Sequence, residues 1–288
     1  VKKKKDQTYQ SYWSISWNIF KKNKVAMVCL FIVILLCLIA LFAPLIAPYD
    51  PNKQVLTDRL MKPCGQHWFG TDDLGRDIFS RIIYGCRVSL SVGIISQIIA
   101  TVIGYTMGVC AGYYGGKVDS VISFLIQVFS SFPFLLFAMA IMFVLGPGLI
   151  NLYLALGLLG WASTARLIRG DVMRLKKMEY IDACKVSGGN SFRIIMKHLL
   201  PNCLSTLIVT VTLGIPNAIM SEASLSFLGL GVKAPMASWG SMISFSQPYI
   251  RSATYYSVIP GLAIIITVLA FNMLGDGLRD ALDPKLRS

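Results

Sequence analysis

The sequence predicts an all-α integral membrane protein with six transmembrane helices. Of its 288 residues, 55% are hydrophobic and only 14% charged, where soluble domains carry about a quarter charged residues. Charge-free runs cover residues 25–47, 88–116 and 120–163, and a helix needs only about 20 apolar residues to cross a hydrocarbon core. The last of these runs is twice what one crossing requires. It is divided by Gly146-Pro147-Gly148, which predicts two spans joined by a short turn.

The chain opens with a basic lead, residues 1–24, holding Lys2 to Lys5, Lys21, Lys22 and Lys24, with Trp13 and Trp17 suited to interfacial depth. The run 25–47 follows. It is too long for the apolar core of a cleaved leader and reads as a membrane anchor. Ala43-Pro44 and the Pro48-to-Asn52 stretch close this first span and open a polar segment, so that residues 25–87 form one unit of span plus extracytoplasmic segment.

Within it, residues 67–85 end in an amphipathic helix in which Ile78 and Ile82, and Asp77 and Arg81, pair at i, i+4. This helix is expected to lie flat at the outer surface, with Asp72, Asp73, Arg76 and Asp77 as a solvated, self-paired face. His67 beside Trp68 is too solitary to indicate a metal site.

Residues 88–275 form the core, with spans two to six and a polar loop, 166–200. The fifth span runs from Pro201 to about Ser221 and contains Gly214 and Pro216, and the sixth covers residues 258–274. Between them, residues 223–231 are apolar but too short to cross and predict a re-entrant or surface-lying segment. Glu222, alone near the end of a span, is a candidate for function or for pairing with a partner subunit. Residues 276–288 form a charged tail.

The formal net charge of +13 does not indicate nucleic acid, because the basic residues cluster beside apolar runs. Six crossings place both termini and the 166–200 loop on one face, which holds 19 of the 27 Lys and Arg residues against 8 on the other. The positive-inside rule makes that face cytoplasmic. Cys29, Cys37, Cys64, Cys86, Cys110, Cys184 and Cys203 show no Cys-x-x-Cys spacing and read as packing residues, not disulfides or metal ligands. No Gly-x-x-x-x-Gly-Lys-Ser/Thr loop is present, so ATP hydrolysis by that route is excluded. No constellation of His, Glu and Cys inside the spans supports an intramembrane enzyme.

The island 179–201 stands out between these runs. It reads as two short helices hinged at Gly188-Gly189. In the first, Tyr180, Ala183, Cys184 and Ser187 share a small-featured face, and Glu179 and Asp182 suit the dipole of the first turn. In the second, Asn190 or Ser191 is the cap, Phe192, Ile195, Met196 and Leu199 share one side, and Pro201 begins the next element. An amphipathic connector on the lipid surface has the same general pattern, and a helix-turn-helix DNA reader does not fit between apolar spans.

The order Asp182-Ala183-Cys184, Gly188, Leu200-Pro201 resembles the cytoplasmic EAA loop of ABC importer permeases. Residues 45–52, 67–85, 223–231 and 271–284 also match recurrent segments of the shorter permease of the peptide/nickel importer family. Asp182 stands where Glu is usual, Cys184 for the second Ala, and His198 for an aliphatic residue. The resemblance implies a type I ABC importer permease fold with a cytoplasmic coupling helix, in a bacterial or archaeal cytoplasmic membrane.

It further implies a second homologous permease, two ATPase subunits that hold ATP and Mg, and an extracytoplasmic solute-binding protein. This subunit itself carries no cofactor, metal or catalytic residue. Glu179, Asp182, Ala183, Cys184 and Gly188 are the implied coupling residues: small side chains for close approach, carboxylates to orient, glycine to end the helix. Di- or oligopeptide is the expected solute and nickel or a metal chelate the alternative. The substrate-binding residues are not legible.

Overall fold

The computed structural model describes residues 12–282, and the basic run Lys2 to Lys5, the Trp13 side chain and the last six residues of the charged tail lie outside the described part. The described chain is a bundle of helices. In order these are α1 (Tyr12–Lys22), α2 (Lys24–Leu41), α3 (Ala43–Ile46), α4 (Ile78–Tyr114), α5 (Gly116–Ser131), α6 (Phe134–Leu145), α7 (Leu149–Leu175), α8 (Glu179–Val186), α9 (Ser191–Ile194), α10 (Leu200–Phe227), α11 (Trp239–Ser246) and α12 (Thr254–Leu282). Helices dominate because a backbone in lipid has no water to bond and must satisfy its own N–H and C=O groups.

Among the described residues, four helices are long and apolar enough to cross a membrane: α2, α4, the continuous helix Ser191–Phe227 and α12. A fifth arises if α5 and α6, bent by 90°, are taken together. The uninterrupted apolar run that predicted a straight third span is thus two helices. The bend falls at Phe132–Pro133, where proline has no N–H to continue the ladder. The Gly146 turn then reverses the chain as expected, tied by Asn151 Nδ2 donating to Leu145 O at 2.8 Å and Gly146 O at 2.9 Å.

Helix α7 carries Arg166, Arg169, Asp171 and Arg174 along with its apolar residues, and continues through the charges that the sequence had placed in a loop. It is held by the most extensive helix pairing in the bundle, with α4. The cause is a stripe of Gly104, Gly108 and Gly112, one residue per turn. A Cβ at Gly108 would stand 2.7 Å from Ala165 O and one at Gly112 would stand 2.9 Å from Arg169 O. Small residues let two backbones meet and turn a weak attraction between apolar helices into dense van der Waals contact. Arg169 adds a two-pronged ion pair across to α5, Nε to Asp119 Oδ1 at 2.5 Å and Nη2 to Oδ2 at 2.7 Å.

Two further expectations are corrected at the start of α4. Residues 78–85 do not lie flat but form the first two turns of α4, with Ile78 and Arg81 buried. The acidic face is self-paired as expected but not solvated, with Asp72, Arg76 and Asp77 buried and Asp73 half-buried: Asp72 accepts Arg76 Nε at 2.6 Å, Arg81 Nη1 donates to Pro51 O at 2.9 Å, and Tyr256 Oη donates to Asp73 Oδ1 at 3.1 Å. Asp77 caps α4 through the Ser80 N–H at 2.7 Å and has His67 Nδ1 beside it at 2.9 Å. Charges enter an interior only when paired in this way, and here they pin the polar segment after α3 onto α12.

At the other terminus α12 runs on to Leu282, so the first part of the charged tail is helical. All seven cysteines are free; Cys29, Cys86 and Cys203 are buried in the packing as read from the sequence, whereas Cys37 and Cys64 are exposed. Gly108→Leu should force α4 and α7 apart at a place where neither backbone can yield. A loss of at least about 1–3 kcal/mol is expected, read as a lower Tm of the detergent-solubilised protein, with Gly170→Leu, where a side chain meets open space, as the unaffected control.

Candidate functional site

The expected knob forms at the end of α7. Its first helix, α8, has Glu179 and Asp182 in the first turn and Lys185 in the last, each at the dipole end that favours its charge. Lys185 Nζ also bonds Asp182 Oδ1 at 2.7 Å. The helix ends in a Schellman arrangement: Gly189 N–H donates to Cys184 O at 2.9 Å and Gly188 N–H to Lys185 O at 3.0 Å. That turn needs a left-handed residue, and Gly188 supplies it with φ 79°. Asn190 then caps α9, its Oδ1 accepting from Arg193 N–H at 2.8 Å.

One side chain anchors the knob. Ile181 is fully buried and joins Val109, Ile168, Val172, Leu175, Ile194, Leu199 and Cys203 in one apolar cluster at the ends of α4, α7 and α10. Lys176 Nζ donates to Tyr113 O at 2.5 Å and fixes the loop to the end of α4. With its apolar side used in this way, α8 turns Glu179, Asp182, Ala183 and Gly188 outward, and Cys184 is half-buried. The structure therefore brings all five sequence-predicted residues together on one small projection.

Behind them lies a hollow of ≈330 Å³ lined by Tyr180, Cys184, Ser187, Arg193, Lys197 and His198, among others. Burial raises the Tyr180 phenol above its usual pKa, so it stays neutral at physiological pH. The second short helix departs from expectation. It is not separate but continues through a π turn, Ile195–Leu199, into α10. Leu200 N–H reaches back to Ile195 O in the wider turn, just before Pro201, which has no N–H to contribute. The widened turn shifts the register, so Ile194 and Leu199 are buried while Phe192 is 71% exposed beside Val186 at 89%. The side on which the sequence grouped Phe192, Ile195, Met196 and Leu199 is therefore split, with Phe192 and Met196 exposed and Leu199 buried, and Val186 was not singled out.

A second feature escaped sequence reasoning. A cavity of ≈1360 Å³ follows α10 from Pro201 to Ser224, with walls from α4, α6, α7 and α12. At 1.5 Å per residue that length is about 35 Å, close to a membrane's thickness. The wall from α10 presents Thr206, Thr210, Leu213, Asn217, Ser221 and Ser224, spaced three or four apart. That polar stripe was the available signal. The charged lining residues are Arg174 and Arg279, at the end nearest the knob.

Glu222 does not line this cavity. It is fully buried, and its Oε1 accepts Ser226 Oγ and Ser238 Oγ, each at 2.6 Å. It thereby ties the end of α10 to the start of α11, so residues 223–227 complete a helix and do not re-enter the membrane on their own. No group of three or more His, Cys, Asp or Glu residues among those described could hold a metal.

A helical bundle with a hollow of membrane length, lined in part by hydroxyls and amides, and an exposed helical knob at one end is an arrangement that a membrane permease subunit can use. Comparison with known proteins identifies which kind. Residues 101–288 match the family described as binding-protein-dependent transport system inner membrane component, and residues 11–63 match the N-terminal TM domain of oligopeptide transport permease C. The chain is 46% identical over 278 residues to the dipeptide transport system permease protein DppC of Bacillus subtilis (strain 168), covering 96% of this chain and 87% of that one.

It is 42% identical to the oligopeptide transport system permease protein OppC of the same organism, covering 96% of this chain and 91% of that one. It is 41% identical to the glutathione transport system permease protein GsiD of Pectobacterium atrosepticum, covering 99% and 95%. Among solved structures, the inward-facing MetNI methionine ABC transporter matches with a TM-score of 0.58 at 19% identity, covering 72% of this chain and 98% of that one, a likeness of fold. The chain belongs to the binding-protein-dependent transport permeases, in the branch of the C-type subunits of peptide ABC importers.

Glu222→Ala should leave two buried hydroxyls without their acceptor, at a cost of about 1–3 kcal/mol. Glu222→Gln keeps an acceptor oxygen and should be nearly neutral. Thermal unfolding of the two purified variants checks this, and equal Tm values would contradict the role assigned to Glu222.

Proposed function

We propose that this chain is one of two related permease subunits of an ATP-driven importer that carries di- or oligopeptides across a bacterial cytoplasmic membrane. The observation that carries the proposal is the cavity along α10: its length matches a bilayer, and hydroxyls and amides line much of it where a lipid-facing groove would be apolar. One wall is what half of a path would look like. The second permease would supply the other. Peptide is preferred to nickel because the relatives named above are peptide transporters by their descriptions.

In this reading the chain crosses six times, through α2, α4, the bent pair α5–α6, α7, α10 and α12. Both termini and the knob lie in the cytoplasm. Two ATPase subunits bind there, holding ATP and Mg, and an extracytoplasmic binding protein delivers the peptide. Glu179, Asp182, Ala183, Cys184 and Gly188 are the docking residues, which the exposure of the other four around half-buried Cys184 supports. Because Ile181 roots α8 in the cluster that also holds the ends of α7 and α10, a displacement of the knob reaches the cavity walls directly. ATP-driven closure of the partners would thus shift the balance between inward- and outward-open states.

The test is Gly188→Leu in the complete transporter reconstituted in vesicles. The added side chain meets no neighbour but is forced into left-handed backbone, at about 1–2 kcal/mol. Insertion and ATP hydrolysis should persist while peptide uptake per ATP falls roughly tenfold. Uptake equal to the parent would exclude this turn from coupling.

A further inference from the structure

Most of the hydroxyls along the α10 wall are already satisfied. Thr210 donates to Thr206 O at 2.7 Å, Ser221 to Asn217 O at 2.7 Å and Ser224 to Met220 O at 2.9 Å, and Thr206 donates to Asp171 Oδ2 at 2.6 Å. Such groups make a wall wettable but hold nothing strongly. Two neighbouring residues on α4 differ. Ser96 is 2% exposed, lines the cavity, and its Oγ has no hydrogen-bond partner among the described residues. Gln97, also on the wall and 9% exposed, makes one hydrogen bond among the described residues, from Nε2 to Thr101 Oγ1 at 3.2 Å. Its carbonyl oxygen and second N–H are unused.

A buried hydroxyl without a partner is costly, so leaving one at a cavity wall calls for an occupant. The carboxamide also has a slot made for it. On the facing helix, a Cβ at Gly214 would stand 2.1 Å from Gln97 Oε1, so only glycine there lets the amide lie between α4 and α10. Ser96, Gln97 and Gly214 all fall midway along their helices, far from Arg174 and Arg279 at the knob end.

We infer that Ser96 and Gln97, with Gly214 as the recess, form a transient binding site for the peptide-bond amide of the passing solute. This rests on the importer reading above. A carboxamide offers one acceptor and one free donor, the complement of a backbone C=O and N–H, and the Ser96 hydroxyl can serve either partner. The pairing ignores side chains. An uncharged site at mid-membrane thus holds a peptide of any sequence by what all peptides share, and a neutral site does not trap a charged residue on its way through.

The test uses the whole transporter in vesicles, with saturating loaded binding protein and two probes: the dipeptide Ala-Ala and its analogue methylated on the amide nitrogen, which lacks the donor. Gln97→Leu should slow Ala-Ala uptake about fivefold and the methylated analogue less than about twofold, with peptide-free ATP hydrolysis unchanged. Gly214→Ala, which displaces only the mobile end of Gln97, should repeat that pattern at an unchanged Tm. If both probes slow alike, or neither slows, the site is overturned and Gln97 is a packing residue. A parent transporter that moves neither probe overturns the importer reading, and the site with it.

Discussion

The close approach of α4 to α7 along Gly104, Gly108 and Gly112 governs the rest of this structure. In lipid, apolar side chains gain nothing by leaving solvent, so helices associate where their backbones fit. Because that seam is fixed by glycine, α7 can carry three arginines and an aspartate near its end and still remain a packed member of the bundle. Its far end then presents the loop that becomes α8. Its cavity-facing side, with Gly160, Ser163 and Thr164, becomes a wall opposite α10.

The knob is stiff for reasons that can be read residue by residue. Its sharp turn is held by two backbone hydrogen bonds across Gly188-Gly189, its second strand of chain is capped by Asn190, and Ile181 locks it into the cluster shared with α10. The π turn before Pro201 makes knob and span one continuous element. The polar segment before α4 is fixed differently, by buried ion pairs around Asp72, and is more like a small soluble domain than a loop.

Much of this was legible from the chain, and the failures have definite causes. Hydropathy found four of the spans, and a fifth as the bent pair α5–α6, because lipid tolerates few charges, and the residues around Gly188 revealed the knob because a tight turn restricts residue types locally. Ile78 and Ile82 misled because i, i+4 periodicity is the same for a helix lying on a surface and for one entering a bundle. The bend at Pro133 was hidden inside a run that is apolar on both sides of it. The self-pairing of Asp72 with Arg76 was legible at i, i+4, but its burial, and the reach of Arg81 to Pro51 O thirty residues away, are decided only by folding.

By itself, the sequence determined what is set by near neighbours and by solvent preference: helices, their membrane class, the charge asymmetry, and the turn at Gly188. Tertiary structure alone decided what depends on residues far apart in the chain. Ser238 meets Glu222, the recess at Gly214 faces Gln97, and a stripe of hydroxyls on α10 becomes the wall of a cavity only when α4 and α7 stand opposite. Periodicity states which residues share a face, but not what that face meets, since the meeting is set by the packing of whole helices.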